Sequence, residues 1–120
     1  MPVDPSAYSS AAPRPQRRGP SERLREDLQL LAGGHAEILA HSEKRWASVT
    51  FAGTRHRLDL AFSGADAVEA AEHFIAFLPE HEFSIPGQLV ADAAVIAVDH
   101  RIGPDARMEI RVELLLLDEE

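Results

Sequence analysis

The sequence predicts a small α+β domain: two helices with a mostly antiparallel five-stranded sheet, in the order α-β-β-β-α-β-β. Two segments repeat apolar residues at the helical period, and five others have the composition and alternation of strands. Glycine or proline marks several of the boundaries between them. At 120 residues the chain is long enough to build one hydrophobic core without a metal ion or a disulfide.

The first predicted helix begins near Pro20 and ends before the glycine pair at 33–34. Leu24, Leu28 and Leu31 follow at spacings of four and three residues, so they form one apolar stripe. A helix of about a dozen residues is marginal on its own. We therefore expect this stripe to pack on the sheet.

Between residues 35 and 62 the apolar period changes toward two, which predicts three antiparallel strands. The charged segment 42–45 is the predicted first turn. The second is predicted around Gly53, because glycine readily adopts positive φ in a tight hairpin. Trp46 should be partly exposed at a strand start. The expected inward-facing residues are Ile38, Ala40, Ala47, Val49, Phe51, Leu58, Leu60 and Phe62.

The second predicted helix follows Ser63, whose hydroxyl and the carboxylate of Asp66 form a variant of the capping box. Pro79 predicts the end of this helix. Its broad apolar stripe should cover one face of the sheet. That stripe consists of Ala67, Val68, Ala70, Ala71, Phe74, Ile75 and Leu78.

The last two strands differ in pattern. Residues 89–98 are apolar on both faces except at Asp92, which predicts either a central strand covered on both sides or a face used in a subunit contact. After a turn at 103–105, residues 108–114 alternate apolar and charged side chains and, with Leu116, form the clearest amphipathic strand.

Charge divides the chain into two parts. Residues 1–20 are rich in Pro, Ser, Ala and Arg without an apolar period, which predicts a disordered tail before a single domain at 21–120. Residues 1–19 carry a net charge of +2. Because the whole chain carries −8, residues 20–120 carry −10. Such an acidic domain repels a phosphate backbone, so nucleic acid is not an expected partner. The expected partner is a protein with a basic or hydrophobic surface.

Several classes of function are excluded or disfavoured. The absence of cysteine removes disulfides, thiolate metal sites and thiol nucleophiles. No apolar run approaches the roughly 20 residues of a membrane span, and no secretory signal pattern is present, so we expect a cytoplasmic protein and no membrane contact. No dinucleotide-binding or Walker pattern occurs, so no cofactor is predicted.

Candidate catalytic and metal-binding residues are few. Asp92 lies in an apolar strand, where it would act as an acid or base or pair with an arginine. His100 follows Asp99 but is tied to no nucleophile motif. Glu69 and His73 are four residues apart on one helical face, yet such pairs are common on solvated helices, so no metal site is predicted.

The favoured function is a small acidic protein-binding module, an adaptor, chaperone or regulatory protein, that acts as a homodimer. The predicted element order is similar to that of bacterial secretion chaperones, which dimerise, although their final helix has no counterpart here. Two helices cannot cover both faces of a five-stranded sheet, so Leu89, Leu115 and Leu117 are the predicted interface.

The alternative is a small-molecule-binding protein or an enzyme with a cavity between the second helix and the sheet. Phe74 and Leu78 would line that cavity and Asp92 would be its polar group. Binding and catalysis both stay open from the sequence.

Overall fold

The computed structural model describes residues 19–119, so the predicted tail lies almost entirely outside the described residues. The helices are α1 (Pro20–Leu31) and α2 (Ala65–Phe77), the latter continued by a 3-10 turn at Leu78–Glu80. The strands are β1 (Glu37–Ala47), β2 (Ala52–Ser63), β3 (Gln88–Arg101) and β4 (Arg107–Asp118). Neither helix between residues 19 and 119 combines the length and apolar composition that crossing a bilayer needs.

The strands form one antiparallel sheet of four, in the order β1-β2-β4-β3. The prediction of a five-stranded sheet is therefore wrong. The order of elements is α-β-β-α-β-β, so the similarity to the order in secretion chaperones is wrong as well. The first predicted strand continues through the charged segment 42–45 to Ala47 as β1. The second predicted strand falls largely on the turn between β1 and β2, where Val49 and Phe51 are exposed and not inward-facing as predicted. Because β1 is an edge strand with mostly exposed side chains, charged residues are tolerated along it.

The first hairpin turns at residues 48–51, where the backbone N–H of Ser48 donates to the carbonyl of Phe51 at 2.7 Å. Gly53, predicted in a turn, instead lies inside β2. A Cβ atom at this position would lie 2.1 Å from the carbonyl oxygen of Leu116 on β4. Glycine is thus required by the close approach of two strands and not by a turn.

One face of the sheet, here called the covered face, packs against both helices. Helix α1 buries Leu24 and Leu28, as predicted, and helix α2 buries Phe74, whose ring centroid lies 6.0 Å from that of Phe62. The strands contribute alternate residues of β2 and β4 to this core: Leu58, Leu60, Phe62, Met108, Ile110, Val112, Leu114 and Leu116.

Two local predictions about the ends of elements are corrected. Gly64 is the N-cap of α2 and no side chain caps the helix, so the predicted box of Ser63 and Asp66 does not form. The Ser63 hydroxyl instead accepts a hydrogen bond from Arg107 at 2.8 Å. Strand β3 lies at the sheet edge, so it is not the central, doubly covered strand that its apolar composition suggested.

Candidate functional site

The face of the sheet opposite the helices is here called the open face. Residues directly opposite each other in an antiparallel pair point to the same side, so the strand register identifies the members of this face. Among the described strand residues it carries equal numbers of basic and acidic side chains, although the protein as a whole carries −8. These are Lys44, Arg55, Arg57, Arg101, Arg107 and Arg111 against Glu37, Asp59, Asp92, Asp99, Glu109 and Glu113.

Cross-strand ion pairs occupy the middle of the open face. Arg57 donates to Glu113 from two nitrogens, at 2.5 and 3.1 Å, and Arg111 donates to Asp59 at 2.7 Å. The hydrogen bond from Arg57 lowers the pKa of Glu113, and that from Arg111 lowers the pKa of Asp59. Because these pairs are largely solvated, they shape the surface more than they stabilise the fold.

One end of the open face is apolar. Leu89 on β3 lies directly opposite Leu117 on β4, and a shallow groove beside them is also lined by Phe51 of the first hairpin. Leu89 is 52% exposed and Phe51 is 54% exposed, whereas Leu117 is only 8% exposed. We call Phe51, Leu89 and Leu117 the apolar end.

The predicted interface residues are therefore neighbours, but they differ in exposure. Leu89 is open to solvent and Leu117 is buried. Leu115 is half-buried and lies in register between Arg55 and Asp92, at the border between the apolar end and the charged middle. Of the three, Leu89 offers the most surface to a partner.

Strand β3 also carries exposed apolar side chains outside the open face: Val98 lies in register with Ile110 of the covered face, and Ile96 lies at a register shift. Ile96 is 45% exposed and Val98 is 48% exposed. The register shifts between Val90 and Asp92, and again between Val95 and Ala97, so the strand is irregular at two points. Such bulges interrupt the ladder of an edge strand and hinder simple strand addition.

A histidine pair lies on the covered face beside α1. The Nε2 atom of His41 lies 2.9 Å from Nδ1 of His56, and Nη1 of Arg25 lies 2.8 Å from Nδ1 of His41. Since arginine is always a donor, the neutral His41 ring accepts at Nδ1 and donates from Nε2 to His56. Glu43, held by a hydrogen bond from the Ser21 hydroxyl, completes the group.

Burial governs the protonation of this pair. It lowers the pKa of His41 below 6.5, with the charges of His56 and Arg25 acting in the same direction. Burial likewise lowers the pKa of His56, against the opposing attraction of Glu43. Both rings are therefore stabilised in the neutral form, which has a free nitrogen lone pair.

Comparison with known proteins gives a fold but no family. The chain matches no protein-family model and no curated protein. A chain of the solved structure "Virion of native gene transfer agent (GTA) particle" has a similar fold, with a TM-score of 0.54 and 14% sequence identity. The similarity covers 84% of this chain and 92% of that chain. At this identity it concerns the fold alone.

The residues predicted as catalytic are not brought together. Asp92 and His100 are both exposed on β3, eight residues apart, a span of about 26 Å along an extended strand. Glu69 and His73 are exposed on α2, where the His73 ring stacks on Phe77 with centroids 4.5 Å apart.

The space predicted to form a cavity under α2 is filled at its centre. Phe74 and Leu78 are fully buried members of the core. A surface groove does run between the 3-10 turn and β3, and Leu78 and Asp92 are among its lining residues.

The sequence pattern does not predict the histidine pair. The spacing His41-x-Glu43 places both side chains on one face of a strand, but the charged segment 42–45 is typical of a turn. His56 lies directly opposite Glu43 only once β1 is one continuous strand.

Proposed function

We propose that this chain is a structural subunit of a multi-chain protein assembly and that it binds a second copy of itself through the open face. The observation that carries this proposal is the neutrality of that face, which ends in exposed apolar side chains, in an otherwise acidic protein. The proposal retains the predicted homodimer and protein binding. It replaces the adaptor role with a structural one.

Charge favours a second copy as the partner. Two proteins of net charge −8 repel each other on average. The open face carries none of this excess among its described strand residues, so two open faces approach without net repulsion. Their alternating basic and acidic side chains also offer partners of the opposite sign to an identical surface.

Apolar area gives the contact its driving force. Phe51 and Leu89 are both more than half exposed at one end of the open face, and the fully exposed Val49 lies in the adjoining turn. A desolvated apolar anchor with a polar surround is the usual anatomy of a protein interface. The chain of similar fold is a component of a virion particle, which supports a role in assembly with other protein chains.

Sedimentation of the full chain at micromolar concentration tests the proposal. The wild-type protein should show the mass of two chains and not the 13.2 kDa of one. Leu89→Glu should shift it to one chain that stays folded by circular dichroism, because this side chain is solvent-exposed within a chain. Leu115→Glu, at the border of the apolar end, should weaken the dimer in the same direction.

Leu30→Glu on α1 is the matched control, since Leu30 is 77% exposed and lies on a helix that packs on the other face. This variant should remain a dimer. A wild-type protein that stays a single chain up to about 100 μM, or a Leu30→Glu protein that dissociates as readily as Leu89→Glu, would overturn the assignment of the open face.

A further inference from the structure

Three potential ligand groups converge at the β1 edge of the covered face. His41 and Glu43 are two residues apart on β1 and therefore project from the same side of the strand. The strand register places His56 of β2 directly opposite Glu43. One nitrogen or oxygen from each of the three side chains lies within 4.8 Å of the others.

We propose that His41, Glu43 and His56 bind one divalent transition-metal ion, with Zn²⁺ as the best match. Two imidazole nitrogens and one carboxylate oxygen are a common ligand set for zinc, and the fourth position of the tetrahedron is open to water. Glu43 is exposed, so an ion reaches the group from solvent, while His56 is only 2% exposed and anchors it.

The distances require little movement. The two facing nitrogens of His41 and His56 lie 2.9 Å apart. Ligand bonds of about 2.0 Å at tetrahedral angles place two nitrogens about 3.3 Å apart. The two nitrogens therefore need to separate by only a few tenths of an ångström, and both rings need to turn so that their lone pairs point at an ion beside the line that joins the nitrogens.

The surrounding hydrogen bonds define what the ion displaces. In the hydrogen-bonded pair Nδ1 of His56 already presents a lone pair, whereas Nε2 of His41 carries a proton because Nδ1 accepts from Arg25. Metal binding moves that proton to Nδ1 of His41, and Arg25 has to release the ring. Arg25 is thus a competitor of the ion, while Ser21 orients the Glu43 carboxylate.

The proposal is tested by titrating the chelator-treated full chain with Zn²⁺ and Co²⁺. Calorimetry measures binding, thermal denaturation measures the midpoint, and the visible spectrum reports the geometry of bound Co²⁺. We expect one ion per chain, a raised and saturable midpoint, and the intense absorption of tetrahedral Co²⁺. Glu43→Gln and His41→Gln should each weaken binding by at least about tenfold. Both residues are at least partly exposed, so both variants should fold.

His73→Ala on α2 is the control for surface binding, because His73 belongs to the exposed Glu69–His73 pair. It should bind as tightly as wild type, and Arg25→Gln should bind more tightly. The proposal is overturned if wild type shows no saturable binding of one ion, if Glu43→Gln and His41→Gln bind as wild type does, or if His73→Ala abolishes binding. These outcomes do not depend on the oligomeric state.

Discussion

The covered and open faces of the sheet are made by the same two central strands, yet the side chains on one face are buried and those on the other are solvated. On the covered face, Leu58 of β2 and Val112 of β4 are fully buried. One residue further along, Arg57, Asp59, Arg111 and Glu113 form solvated ion pairs on the open face. Period-two alternation therefore lets one pair of strands supply both a core and a charged, solvent-exposed surface, with stability concentrated on the first.

Truncating two aromatic rings of α2 that differ in burial should give the largest contrast. Phe74→Ala should reduce the free energy of unfolding by about 3–5 kcal/mol, since it removes a fully buried ring and leaves a cavity. Phe77→Ala, on the same helix but 49% exposed, should cost well under half of that. Urea denaturation monitored by circular dichroism measures both. Equal losses would show that α2 does not separate core from solvent as described.

The helices and β4 could be predicted from sequence because each has one strong apolar period. Leu24 and Leu28 recur at helical spacing, and residues 108–114 alternate strictly, so local pattern and tertiary burial agree. The first hairpin could not be predicted in this way. Its edge strand β1 has little apolar signal, because burial does not select the residues of an exposed edge.

The sites show the same division. Leu89 and Leu117 are predicted as interface residues because an excess of apolar residues over what the helices can cover is apparent from the sequence alone, and this stays a prediction. The group of His41, Glu43 and His56 depends on strand register, which pairs residues 13 apart at Glu43 and His56. These side chains come together because β1 runs without a turn through residues 42–45.

Strand packing itself can be tested at Gly53, where β2 approaches β4 too closely for a side chain. Gly53→Ala should cost about 1–3 kcal/mol of unfolding free energy, because the added Cβ meets backbone atoms of Leu116 and Leu117, which cannot rotate away. Gly19→Ala is the control, since a Cβ there meets nothing within 4 Å and φ is −77°; because Gly19 is the N-cap of α1, alanine there should cost no more than about 1 kcal/mol. Chemical denaturation of the two variants measures the difference; equal stabilities would contradict the close approach.

Acid should distinguish the histidine pair from the paired carboxylates by the pH at which each loses its contribution to stability. On the covered face, the pKa values of His41 and His56 are lowered from 6.5, so the unfolded chain binds protons first and stability falls as the pH drops below about 6.5. On the open face, the lowered pKa of Asp59 contributes stability above 3.8 that is lost only in stronger acid. Denaturation midpoints from pH 8 to 3, in chelator, should therefore fall in two stages. His41→Gln should diminish the first stage and Asp59→Asn the second; a first stage unchanged by His41→Gln would show that the histidine pair is not held neutral by the fold.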